Sequence, residues 1–103
     1  MSSFHERERA FENKFAHDQD MMFKAVSRRN RKIGLWAAGL LGLSCEDAAN
    51  YALDVIRIDF TKPGHDVVVE KLAADLGELA DKTTIETRMA EYLSEAKAEL
   101  ADG

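Results

Sequence analysis

The stretch DQDMMFKAVSRRNRKIGLWAAGLLG, residues 18–42, decides the fold class. Its apolar positions Met22, Val26, Ile33, Trp36, Ala37 and Leu40 recur at threes and fours, the period of a helix with one buried face. It begins beside the acidic Asp18 and Asp20 and stops at Gly42, a residue that ends helices readily. The spacing predicts a helix from about residue 18 or 20 to residue 41. Downstream, Ser44 with Asp47 three positions on resembles a capping box with the shorter acid. It opens a second helix over about 45–60, with Ala49, Ala52, Leu53, Ile56 and Phe60 inward. Thr61, Lys62, Pro63 and Gly64 break that helix. A third, over about 65–79, sets Val68, Leu72, Leu76 and Leu79 on one side. Thr83 with Glu86 is a capping-box pattern that opens a fourth, whose Ile85, Met89, Leu93, Ala96 and Leu100 keep the helical period. Short connections force such helices to lie side by side, so the expected class is all-α: a small four-helix bundle over residues 19–103.

Composition agrees. The 103 residues are 46% hydrophobic and 32% charged, with six glycines and one proline, too few turn formers for a β-sandwich and suited to one compact soluble domain. A chain of this size buries somewhat over 60% of its unfolded surface, which leaves little room for a deep substrate cavity. The single cysteine, Cys45, forms neither an intramolecular disulfide nor a thiolate cage, and a reducing compartment is expected. The longest apolar run, residues 33–43, would rise roughly 17 Å as a helix against a hydrocarbon core of about 30 Å, so no membrane insertion is expected. The opening residues lack the layout of a secretory signal.

Charge is unevenly placed. Residues 1–32 hold eight Lys or Arg against five Asp or Glu, a balance of +3, whereas residues 33–103 hold six against fourteen, −8. An acidic body with a basic head suggests a terminal segment with its own partner, although a basic helix packed on acidic ones gives the same contrast. Within the head, Phe4, Phe11, Phe15 and Met22 are spaced seven, four and seven apart, which keeps them within roughly 40° around a helix. So narrow a stripe marks a helix that docks into a groove or a coiled-coil seam. Residues 1–18 are therefore expected as a separate segment, loosely ordered until bound. The competing reading is that Phe11 and Phe15 fold back as ordinary core residues.

Several chemistries are missing. Gly34 and Gly39 mimic a phosphate loop without its Lys-Ser/Thr and fall inside a helix; with Gly42 they are expected to let neighbouring helices approach closely. His5, His17 and His65 lack metal-ligand spacing, and Ser27, Ser44 and Cys45 lack a nucleophile context, so neither metal, cofactor nor enzyme is expected. His5 and His17 sit in the basic head, where protonation between about pH 5 and 8 would change the charge of a binding surface; the competing reading is two exposed, solvated histidines. On a helix Lys24, Arg28 and Arg31 share one side, a cationic stripe open to three readings: a solvated or internally paired face, a contact with a partner protein, or nucleic acid. The pI near 5.1 and the lack of stacking aromatics beside it disfavour the last. A ribosome- or nucleic-acid-associated adaptor using residues 24–32, and a small-molecule-binding bundle around Trp36, are the rival functions.

Residues 4–18, FHERERAFENKFAHD, followed by Phe23-Lys24-Ala25, Arg28-Arg29-Asn30, Gly34-Leu35-Trp36-Ala37-Ala38, Tyr51-Ala52, Asp59-Phe60 and Pro63-Gly64, resemble the zeta subunit of alphaproteobacterial F-type ATP synthases, an ATPase inhibitor family. The likeness spans essentially the whole chain and loosens in the last helix; Gly39, Cys45 and His65 depart from the pattern. The resemblance implies a four-helix protein whose N-terminal segment inserts at a catalytic interface of the soluble ATPase head, beside the central stalk, and blocks rotation during hydrolysis. On that footing Phe4, Phe11 and Phe15 anchor the segment, and Arg7, Glu8, Arg9, Glu12 and Lys14 set its register by charge pairing. Lys24, Arg28 and Arg31 form a secondary contact. The free protein is expected to be a cytoplasmic monomer, peripheral to the inner membrane through the synthase.

Overall fold

The computed structural model describes residues 19–62 and 64–102, which form four helices: α1 (Gln19–Leu41), α2 (Cys45–Asp59), α3 (Asp66–Leu76) and α4 (Lys82–Asp102), with a 3-10 turn (Gly77–Leu79) between the last two. The all-α reading and the four helices are as expected. The N-terminal segment, with Phe4, Arg7, Glu8, Arg9, Phe11, Glu12, Lys14 and Phe15, lies outside the described residues.

Helix α1 is the axis of the bundle, packed mainly against α2 and α4. It ends in a Schellman arrangement: Gly42 takes φ +74°, its N–H donates to the Gly39 carbonyl (3.2 Å), and Leu43 N–H donates to that of Ala38 (3.0 Å). Gly42 thus serves the turn rather than helix packing. Gly34 does serve packing, because a Cβ there would sit 2.7 Å from the Ala52 Cα of α2. Gly39, expected to share that role, faces open space.

The core joins all four helices: Ile33 and Ala37 of α1, Val55 of α2, Val68 and Leu72 of α3, and Ile85 of α4 are fully buried. Ala25 and Ala96 close a smaller cluster beside Met22, Leu93 and Leu100 at the other end of α1 and α4. Four further expectations need correction. Helix α2 buries Ala52, Val55 and Asp59, whereas Ala49, Leu53 and Phe60 face out, so its inward face is rotated from the apolar periodicity. The Ser44 hydroxyl donates to the Asp47 carboxylate (3.3 Å) and caps no backbone N–H. The fourth helix is capped by Asp81, not Thr83: Thr84 N–H donates to Asp81 Oδ1 at 2.8 Å, and hydrogen bonding from the Thr84 side chain first, and from this N–H second, lowers the carboxyl's affinity for a proton. Leu79 is also exposed, carried off the α3 face by the tight turn at Gly77 (φ +56°).

Candidate functional site

The basic run of α1 is divided among four tasks. Lys24 pairs with Asp20 one turn earlier (3.3 Å), both largely exposed, a contact of small energetic weight. Arg28 Nη1 donates to Glu99 Oε1 (3.2 Å), and Lys32 Nζ donates to Glu99 Oε2 (2.8 Å) and Glu95 Oε1 (3.4 Å), tying α1 to α4. The hydrogen bond to Glu99 raises the Lys32 pKa and lowers that of Glu99. Arg29 is buried. Arg31 is exposed and makes no ion pair among the described residues. Internal pairing therefore accounts for most of the charge that a nucleic acid would need.

Arg29 belongs to a buried polar knot that periodicity did not reveal. Its Nε and Nη2 donate to Asn30 Oδ1 (3.1 and 2.9 Å), Asn30 Nδ2 donates to Asp59 Oδ2 (2.9 Å), and Arg29 Nη2 lies 3.7 Å from the same carboxylate oxygen. His65, preceding α3, brings Nδ1 to 3.1 Å from Asp59 Oδ1 and 3.0 Å from Arg29 Nη2. Burial pulls the Arg29 pKa below its ordinary value, and the Asp59 charge partly restores it. Across the bundle, Tyr51 donates to Asp75 (2.7 Å), Lys71 donates to the same carboxylate (2.9 Å), and Lys71 lies over the Tyr51 ring. Burial, more than the Asp75 contact, pushes the tyrosine hydroxyl's pKa up. These groups fasten helices together; their partners are protein atoms, and among the described residues no buried side-chain nitrogen or oxygen is left without one.

Lys24, Arg28 and Arg31, predicted as a secondary contact, do come together. With Phe23, Ile56 and Leu100 they line an open groove of about 680 Å³ along the α1 edge. Phe23 itself stacks on Phe60 at the C-terminal end of α2, ring centroids 5.2 Å apart and planes 21° apart, and each residue is more than half exposed. Trp36, the centre of the small-molecule reading, packs half-buried against the core with Arg88 over its ring. Among the described residues no cluster of His, Cys, Asp or Glu is placed to hold a metal, and no helix is long and apolar enough to cross a membrane. Arg29, Asn30 and Asp59 were visible beforehand only inside the strings that carry the family resemblance, and Phe60 was read as an inward residue.

No curated protein matches the chain. A protein whose solution NMR structure has been determined is 38% identical over 80% of this chain and 96% of its own, with a TM-score of 0.73. The sequence model of the family described as ATPase inhibitor subunit zeta matches residues 1–99, taking in the N-terminal segment, the knot and all four helices. By that match the chain belongs to the ATPase inhibitor subunit zeta family.

Proposed function

We propose that the protein inhibits ATP hydrolysis by the F-type ATP synthase, with residues 1–18 inserting at a catalytic interface of the soluble head beside the central stalk. The observation that carries this reading is the pairing of a family match over residues 1–99 with a body whose four helices already fill a core of their own. Ile33, Val55, Leu72 and Ile85 meet within that body, and on this reading the stripe of Phe4, Phe11 and Phe15 serves a foreign groove. Burying each ring there contributes about 1.5–3 kcal/mol, set against the cost of ordering the segment. Arg7, Glu8, Arg9, Glu12 and Lys14 then fix register through charge. A wedge that favours one state of a cycling interface opposes the next state by differential affinity, and no chemistry of its own is needed. Lys24, Arg28 and Arg31 give the body a secondary contact, and the enzyme holds the protein at the cytoplasmic side of its membrane.

The test is steady-state ATP hydrolysis by the purified cognate enzyme. The full chain lowers the rate, and a chain lacking residues 1–18 keeps its helical spectrum and does not. Phe11→Ala with Phe15→Ala weakens inhibition by about a hundredfold or more while the melting temperature barely moves. A truncated chain as potent as the parent would overturn the assignment, and equal losses of potency and stability would make the two rings core residues.

A further inference from the structure

The apolar pattern of α2 is only partly buried: Ala52 is hidden and Ile56 half-hidden, while Leu53 and, just past the helix end, Phe60 are left outside. Leu53, Ile56 and Phe60 lie at spacings of three and four, with Leu53 47% and Phe60 53% exposed, and Phe23 of α1 extends the strip through its stack on Phe60. Contiguous exposed apolar surface built from two helices marks a contact site more often than scattered single side chains do. Beside it run Lys24 and Arg31, the second without an ion pair among the described residues. We propose that the Phe23–Phe60 stack, with Ile56 and Leu53, is the surface on which the bundle seats against its ATPase, taking an apolar strip of that enzyme rimmed by acidic side chains.

This proposal rests on the inhibitory reading above and gives the body a role in it. If Phe15 is anchored in the enzyme, Phe23 is eight residues away, at most about 29 Å along the chain, so the patch stays near the same site. Tethering makes the second contact effectively intramolecular, at an effective concentration in the millimolar range, so even a weak patch adds strongly to affinity. The cationic edge selects an acidic rim. The chain's own residues 1–18 are a poorer occupant. They contain no glycine or proline to reverse the chain before Gln19. Phe23, near the start of α1, stacks on Phe60 just past the end of α2, so the strip leads from there toward Leu53, away from the incoming segment.

The test uses the full chain carrying Leu53→Ser and Phe60→Ser, both exposed positions where serine leaves the core untouched. Three quantities are measured beside the parent: half-inhibitory concentration, binding of purified soluble ATPase head to the immobilised chain, and melting temperature. The expected result is an about tenfold or greater loss in both inhibition and binding, with a melting temperature lowered only by the several degrees that loss of the Phe23–Phe60 stack costs. Arg31→Glu should weaken binding several-fold, and the difference should shrink at high salt. Unchanged affinity overturns the proposal. So does stronger inhibition by the variant, which would mean that the patch stores residues 1–18. A concentration-dependent dimer of the parent, abolished by the substitutions, would assign the patch to a second copy and overturn it as well. A parent chain that binds the ATPase head through this patch without slowing hydrolysis would uphold the patch and sink only the inhibitory reading.

Discussion

Removing the Asp59 carboxylate is the most decisive perturbation of the body. The side chain is 3% exposed and carries the only negative charge among the four groups of the knot, accepting from Asn30 Nδ2 at 2.9 Å and facing Arg29 at 3.7 Å. With Asp59→Ala, the guanidinium of Arg29 keeps Asn30 but loses its counter-charge in a buried setting, and the Asn30 amide loses its acceptor. Breaking one side of a buried pair costs about 3–5 kcal/mol, a large share of the roughly 5–15 kcal/mol that holds a domain together. For a body of this size the melting temperature should fall by at least about 12 °C. Arg29→Met should cost a similar amount by stranding the carboxylate. The double variant Arg29→Met with Asp59→Ala removes both charges and should lose clearly less than the two singles summed, because the cost of a stranded buried charge is gone and the unpartnered Asn30 amide remains. Urea unfolding followed by Trp36 fluorescence and far-ultraviolet circular dichroism gives the cycle. A single variant costing less than about 1 kcal/mol, or a double variant whose loss equals the sum of the singles, would refute the account of the knot as a mutually dependent set.

Two glycines five positions apart on α1 should respond with opposite signs. Gly34→Ala drives a methyl against the Ala52 backbone at 2.7 Å and should destabilise by about 1–3 kcal/mol, whereas Gly39→Ala fills open space in a helix and should stabilise by about 0.5–1 kcal/mol, both read from urea midpoints. Asp81→Ala should lower the melting temperature at neutral pH by removing the α4 cap. Because the folded Asp81 carboxyl is shifted downward, its contribution is complete above the ordinary carboxylate range and is lost as pH falls through the folded value. The gap between parent and variant should therefore close in acid, and a gap independent of pH would argue against the carboxylate as the cap.

Much of the body was legible in advance. Periodicity located four helices, Gly42 and the Pro63-Gly64 pair marked two of the breaks, and Ile33, Val68, Leu72, Ile85 and Met89 fell inside as their spacing requires. The α2 face was not legible, because periodicity ranks Leu53 and Phe60 above an aspartate for burial. Asp59 becomes buriable only when Arg29 and Asn30 of another helix supply its partners, and α2 then hides Ala52, Val55 and Asp59 while Leu53 and Phe60 face out. The cationic run read in the same incomplete way: its charges are countable, but Glu95 and Glu99, sixty residues and more along the chain, decide which of them remain for a partner.

What sequence alone determined is therefore the set of local quantities: helix periods, stop signals, the charge contrast between the first 32 residues and the rest, and the string that marks the family. Tertiary structure alone decided which face of α2 is hidden, which glycine touches a backbone, and which cations are spent. The physical reason is that apolar burial follows from a residue's own chemistry, while burial of a charge depends on a partner that only the folded chain brings within reach.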